Sequence, residues 1–513
     1  MSRESYDADP YPAQPFAPSH PRNLEAVATL FGLAPPPIST ARILELGCAT
    51  GGNLVPMAAA LPDANFVGID YSPIQIEHAR RFADALSLKN ITFEPLSVFQ
   101  ITPELGTFDY IIAHGFMSWV RPDAHQAAFA VMGKNLSAKG VAYASFNVFP
   151  GWHARQWMRE MMVFHAPEIE GQSAEDRVKR ARQICEIVAE SPEIKGTPAG
   201  EMLQREMANW INRPPRYVIH EYLDESNWPF YFHDFVSQAK SHGLQYLADA
   251  QNNSSMFETG TPQNAALLQE AGDDIVRREQ YLDFIRNTTF RRTLLVHADR
   301  NPDRKTLADR IESMWVTSTL TNDSPPSAIA TSQAIQFAHP SGLALNVNHP
   351  LTKAALTLLQ STFPQPTRVN ELLDQAIRLA SVRPDERARA TLQLLNAWSM
   401  NLVQLYVTPP PLCTRPGDRP EIWKVARQQA ASGMHALTNL RHEVVAIEPP
   451  FGQILGAFDG AHTRDQIAAQ IISNESLGLA AKFADKPVVG RQVATRAMEA
   501  LLERFGKESL MVG

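Results

Sequence analysis

Four residues at alternate positions, Glu45, Gly47, Ala49 and Gly51, stand in LELGCATGGN (44–53), directly after the apolar run ARILEL. A glycine-bearing turn between a strand and a helix lets the backbone lie close to a ligand. Dinucleotide sites use that place to seat a pyrophosphate on the helix N-terminus, with G-x-G-x-x-G spacing. Here Ala49 stands where a second glycine belongs, a departure that is tolerable if its φ stays negative. Asp70 ends the run VGID. A carboxylate ~20 residues beyond the glycines can accept bidentate hydrogen bonds from two ribose hydroxyls. Capping of the next helix is the plainer alternative for Asp70.

The spacing E-x-G-x-A-x-G resembles motif I of class I S-adenosylmethionine (SAM) methyltransferases, whose usual form is E/D-x-G-x-G-x-G. SAM has no phosphate, so the loop need only admit its amino-acid and ribose parts. The resemblance makes SAM the expected cofactor, with Glu45, Gly47, Gly51 and Asp70 as contacts. Cys48, Ala49 and Asn53 of the loop, and Tyr71 after Asp70, complete that side of the candidate site. In EPLSVFQ the acid that usually reads the adenine amino group is missing, and Ser97 and Val98 stand near its place. His114 follows a fourth strand in YIIAHGFMSWV, where residues face cofactor and acceptor alike. A structural histidine is the alternative there.

Short strands alternating with helices must position these groups. ARILEL, NFVGID, NITFEPL, FDYIIAHG and GVAYASFNV read as five strands. The helix SPIQIEHARRFADALSL carries Ser72 as its N-cap and Pro73 at its first position. Such β-α-β alternation implies a Rossmann-like α/β fold, a parallel sheet with helices on both faces. FYFHDFVSQAKSHGLQYLAD and NTTFRRTLLVHAD are expected to add the last helix and the final strand pair. Residues from about 152 to 223 then form a helical insertion where a lid belongs, a separate helical domain being the alternative. The expected organisation is an arm over 1–40 and a methyltransferase domain over 41–299, whose last part, about 215–299, is a regulatory segment. Two mostly α, winged-helix-like modules follow at 300–410 and 411–513. Linker-like NDSPPSAIATSQ and proline-rich TPPPLCTRPGDRP punctuate that half.

Composition excludes several classes. The 513 residues carry a formal net charge of −7, which argues against a general nucleic-acid binder. Three scattered cysteines suit a reducing cytoplasm rather than a disulfide framework, and no metal site is expected. The polar, proline-rich start does not read as a signal peptide, and no apolar run reaches the ~20 residues of a membrane span.

Several stretches together, ELGCATGGNLVPMA, FDYIIAHGFMSWV, YASFNVFPGWHAR, HEYLDESNWPFYFHDF and YLDFIRNTTFRRTLL, resemble a narrower family. These are the bacterial methyltransferases with a methyltransferase regulatory domain, which include the rickettsial protein lysine methyltransferases. The resemblance implies that Tyr6, His114, Trp119, Asn147 and Trp152 surround the reacting methyl group or the entering side chain. Met117 and Phe146 replace residues often aromatic and Tyr in that family. The expected acceptor is a protein lysine, on a surface or outer-membrane protein among others, and a homodimer is an expected assembly. A small-molecule acceptor and a SAM-binding regulator without turnover are the alternatives. A lysine amine, of pKa about 10.4 in water, becomes neutral when buried beside a positive charge. No strong base is then required, although His114 or His220 could take the proton.

Overall fold

The computed structural model describes residues 13–169, 171–224, 226–251, 261–305, 307–474, 477, 479–483 and 486–512. A seven-stranded sheet in the order β3-β2-β1-β4-β5-β7-β6 organises the first three hundred residues. Its strands are β1 (Arg42–Leu46), β2 (Asn65–Ile69), β3 (Ile91–Glu94), β4 (Phe108–Ala113), β5 (Leu136–Asn147), β6 (Leu244–Asp249) and β7 (Phe290–His297). The first five are parallel, and β7 runs antiparallel to both of its neighbours. The chain leaves β1 toward β2 on one side and reaches β4 on the other. That reversal opens a crevice at the carboxyl ends of β1 and β4, the place where such sheets bind ligands.

Alternate strand residues divide between two apolar layers. Ile43, Phe66, Tyr110 and Tyr143 point into one, and Leu44, Ile69, Ile111 and Ala144 into the other. The second layer is closed by helices α4 (Pro122–Asn135) and α8 (Phe232–Ser241). The first is closed by α1 (Pro21–Leu30), α2 (Leu54–Ala60) and α3 (Pro73–Ala85). Ser72 caps α3 by accepting from the Gln75 amide, with Pro73 in the first turn, as its sequence indicates.

Between β5 and α8 come helices α5 (Trp152–His165), α6 (Ala174–Glu190) and α7 (Pro198–Trp210), then a π-helical turn over Ile219–Leu223. They share a core of their own around Met158, Met162, Cys185, Leu203 and Trp210. The insertion leaves and rejoins the sheet at one point, for Val148 bridges Phe230.

The first layer does not stop at residue 299. It continues through Val316, Leu351, Leu373, Leu394 and Leu405, so this region packs on the sheet rather than hanging from it. Here a three-stranded sheet of β8 (Trp315–Thr317), β11 (Thr367–Arg368) and β12 (Gln404–Tyr406) meets helices α12 (Pro350–Thr362), α13 (Val369–Ala380) and α14 (Arg387–Ser399). The hairpin β9 (Ile335–Ala338) and β10 (Ala344–Val347) precedes α12; the helices numbered between are α9 (Pro262–Glu270), α10 (Ile275–Arg286) and α11 (Leu307–Ile311). The linker-like stretch is no free tether. The buried Lys353 donates from Nζ to the carbonyls of Ala328, Thr331 and Gln333 at 2.7–2.8 Å. The last unit has a separate core about Ile422, Phe458, Ile467 and Phe505. It contains α15 (Lys424–Ala431), β13 (Ala436–Thr438), β14 (Val444–Ala446), α16 (Arg464–Ser473) and α17 (Pro487–Lys507). Among the described residues no helix is long and apolar enough to cross a membrane.

One buried cation clamps the far edge of the large sheet. Arg291 on β7 donates to Asp283 and Glu279 of α10 and to Asp249 of β6, each at 2.9 Å, with its guanidinium 3.9 Å above the Phe232 ring. Burial and the crowding of acids raise the pKa of Asp249 and Asp283, against the pull of Arg291. Removing the cation from a buried ionic group leaves uncompensated charge, at a cost of about 3–5 kcal/mol. Arg291→Leu should therefore lower stability by that amount near pH 7 in denaturant unfolding. The loss should shrink toward pH 5, because a carboxylate whose folded pKa is raised destabilises the fold increasingly as pH rises from its unfolded value, of about 4, and fully only above its folded one.

Candidate active site

The loop after β1 is held by β2. The amides of Gly47 and Cys48 both donate to the Ile69 carbonyl at 2.9 Å, and Gly51 N–H closes a turn onto Cys48. Gly47 and Gly51 have φ of 71° and 76°. A Cβ on Gly47 would also lie 2.8 Å from the Phe116 ring, so the position admits only glycine. Ala49 corrects the expectation of a negative φ, for its φ is +46°. The cause is Asp70, whose Oδ2 accepts the Ala49 amide at 2.9 Å while Oδ1 accepts that of Ser72. Asp70 thus braces the loop and the entry to α3 together, while the helix cap itself is Ser72.

Glu45 lies beneath the loop, 3% exposed. Its Oε1 accepts from Asn53 Nδ2 at 2.6 Å, and its Oε2 is buried without a hydrogen-bond partner among the described residues. Burial pushes its pKa up to about 7, the Asn53 hydrogen bond opposing and Asp70 adding. Burial, then Asp70 and Glu45, push the Cys48 thiol far up, so it is an inert packing group. Two carboxylates around a glycine turn, one with an orphaned buried oxygen, fit a ligand that brings positive charge and hydroxyls. Tyr71 is 58% exposed beside Asp70. Ser97 starts a short turn in which its amide donates to Gln100 Oε1, and Val98 is buried near Ile69.

The segment before α1 crosses the loop, so closely that a Cβ on Gly52 would strike the Ala13 carbonyl. Phe16 joins the two sides of the crevice. Its amide donates to Asn53 Oδ1 at 3.0 Å, and its ring stacks on His114 at 4.0 Å. His114 Nδ1 lies 3.3 Å from Tyr143 Oη and 3.2 Å from Ser145 Oγ. Burial, with Arg292 adding, pushes the His114 pKa down to about 3. The ring is neutral at physiological pH and is a poor proton acceptor.

Asn147 ends β5 and is buried. Its amide donates to Ser118 Oγ at 2.8 Å, and its Nδ2 to Asn227 Oδ1 at 3.1 Å. Trp228, exposed beside it, donates its amide to the Ser118 carbonyl. The chain from Asn227 to Phe230 therefore lies across the ends of β4 and β5. Trp152 is buried at the start of α5, its Nε1 without a partner among the described residues and Arg155 5.6 Å from its ring. Trp119, which composition alone would bury, is half-buried on the turn after β4. His220 is buried on the π-helical turn that packs against α5. Tyr6 falls outside the described residues.

Phe16, Asn227, Trp228, Arg292 and His442 were not singled out from the sequence. Asn227 and Trp228 lie within the stretch HEYLDESNWPFYFHDF that carries the family resemblance, which could have pointed to them. Phe16 is a lone aromatic in a proline-rich arm, and His442 carries no local signal at all. Left-handed geometry costs a non-glycine residue about 1–2 kcal/mol. Ala49→Gly should accordingly raise stability by about 1 kcal/mol in thermal unfolding.

Comparison with known proteins places this geometry. A model described as "Methyltransferase domain" matches residues 43–140, and one described as "Predicted methyltransferase regulatory domain" matches 214–297. A third, "PKMT, C-terminal winged helix domain", matches 418–510. The uncharacterized protein RP789 of Rickettsia prowazekii is 32% identical over 99% of this chain and 93% of its own length. The uncharacterized protein RP028 of the same organism is 35% identical over 47% of this chain and 96% of its own. The structure of PKMT2 from Rickettsia typhi superposes with a TM-score of 0.87 at 28% identity, over 98% of this chain and all of that one. Its complex with AdoHcy, the demethylated cofactor, superposes at 0.84 with the same identity and coverage. The protein is a SAM-dependent methyltransferase, and belongs to the family that joins a Rossmann-like methyltransferase domain to a regulatory domain and a PKMT winged-helix domain.

Proposed function

We propose that the enzyme methylates lysine amines of a protein acceptor, entering between the ends of β4 and β5. The observation that carries this is the acceptor side itself. Among the described residues it offers aromatic surface and the Asn147 amide, and the lowered pKa of His114 leaves that ring a weak base. PKMT2, similar over the whole chain, supports a protein acceptor. The last domain, and the lid role of the insertion above β5, serve this reading as surfaces for a polypeptide. A surface or outer-membrane protein, methylated in the cytoplasm by a homodimer, is the form of it that the family resemblance suggests.

SAM supplies an electrophilic methyl group on a sulfonium. Glu45 and Asp70 would hold its ammonium and ribose, with the backbone of Gly47, Cys48, Ala49 and Gly51 between them. Asn53, Tyr71, Ser97 and Val98 would line the remainder. The acceptor amine loses its proton on burial in the apolar entry, helped by the positive charge it approaches. Asn147 Oδ1 then orients an N–H so that the lone pair faces the methyl carbon. The bound sulfonium would supply the methyl, the N–C bond forming as the C–S bond breaks, and the new ammonium would release its proton to solvent. Alignment supplies most of the rate in such a displacement. Trp119 and Trp228 would favour the cationic product by contact with ring faces, with Trp152 buried at the start of α5.

Incubation of the full chain with methyl-labelled SAM and a proteome extract tests this. Label should enter protein and survive as methyl-lysine after acid hydrolysis. Label confined to small molecules, or in no acceptor despite tight SAM binding, would overturn it. A second expectation concerns the cofactor seat. With Glu45 titrating at about 7, a cationic ligand favours its ionised form, so SAM affinity should rise between about pH 5.5 and 7 and level above. Calorimetry should show that step in the wild type and none in Glu45→Gln.

A further inference from the structure

His442 reaches the cofactor loop from the far end of the chain. It sits in the turn between β13 and β14, with φ of +63° and 2% exposure. That turn is rigid. Asn439 Oδ1 accepts the amides of Arg441 and Glu443 at 2.9 Å, the His442 amide returns to the Asn439 carbonyl, and Arg441 lies over the Phe363 ring. From it, His442 Nε2 lies 2.8 Å from Asn53 Oδ1, across 389 positions of sequence.

The partners fix how the bond runs. A carbonyl oxygen only accepts, so Nε2 must carry the proton. Burial, with Arg22 and His114 adding, pushes the His442 pKa down to about 3, so the ring is neutral and holds one N–H. Asn53 Oδ1 thus accepts from His442 and from the Phe16 amide, and its Nδ2 donates to Glu45 and to Ser19 Oγ. Every capacity of the amide is used. A flipped amide would set oxygen against the His442-free side and turn its carbonyl on Glu45, an arrangement that suits only a protonated Glu45.

We propose that the β13–β14 turn of the winged-helix domain is a positioning element for the cofactor, acting through His442 on Asn53 and through Asn53 on Glu45. The inference rests on the assignment of Glu45 and its loop to SAM. Together with the Phe16 amide, His442 holds Asn53 in the orientation in which Glu45 accepts a hydrogen bond, and so keeps Glu45 ready for a cation. The titratable groups facing Glu45 are Asp70, Cys48 and Tyr143; those facing His442 are His20, Arg22 and His114.

The test uses the full-length chain and SAM as probe, with calorimetric Kd measured against pH. His442→Phe keeps a ring and loses the donor, and His442→Gln restores an N–H. Loss of one hydrogen bond that orients a buried carboxylate should weaken SAM binding about tenfold at pH 7. The step in affinity should move to higher pH in His442→Phe, and His442→Gln should recover most of both. Unchanged Kd and pH profile in His442→Phe, or a Gln variant as impaired as Phe, would overturn the proposal. Should the variants fail to fold, the wild type decides: SAM titration must shift the ring nitrogen resonances of His442, and unmoved resonances refute the coupling. If Glu45→Gln leaves affinity intact at every pH, the seat assignment fails. If that variant abolishes the step while His442→Phe leaves it in place, only the His442 role fails.

Discussion

Two carboxylates held against a backbone turn set the terms for everything around them. Asp70 takes two amides and holds Ala49 in a left-handed conformation; Glu45 keeps a buried oxygen with no donor on it among the described residues. Neither arrangement is favourable by itself, since buried charge and left-handed alanine both cost free energy. A rigid sheet behind the turn makes them tolerable. The Ile69 carbonyl, which receives two amides of the turn, belongs to a strand flanked by β1 and β3. The strain and the unmet hydrogen-bonding capacity lie together at the turn proposed to seat the cofactor.

Residues distant in the chain complete that turn. Phe16, from the segment ahead of the sheet, and His442, from the last domain, both bond Asn53. Helix α1 joins them to the same body, for Arg22 donates to the Thr408 carbonyl and the core runs on from Leu24 to Leu405. Chain order therefore says little about which parts cooperate. The beginning and middle of the polypeptide share one apolar layer beneath the sheet, which reaches as far as Leu440, while the last unit keeps a core of its own.

This explains what was legible in the sequence. Strands and capped helices depend on local pattern, and the alternation from Arg42 to Val148 showed them, including Ser72 and Pro73 at their places. The return of the sheet after the insertion was legible too, since Gly243 and the apolar run at Leu294 lie in short, well-patterned stretches. The conformation of Ala49 was not, because a side chain 21 positions away decides it. Nor was the role of Asn322–Gln333, whose serines and prolines read as a tether until Lys353 gathers three of its carbonyls. On the acceptor side, the family resemblance pointed to Asn147 and Trp152. The crossing of Asn227 and Trp228 over them depends on tertiary packing that no spacing encodes.

The bridge between Val148 and Phe230 has a wider consequence. Because the helical insertion departs and returns at adjacent points and carries its own core, the sheet registers its length and content hardly at all. Exchange of such a unit leaves the loop-closure entropy of the parent nearly unchanged. The same sheet can therefore accept different insertions at this point through recombination, in nature or by grafting, while the crevice between β1 and β4 stays as it is.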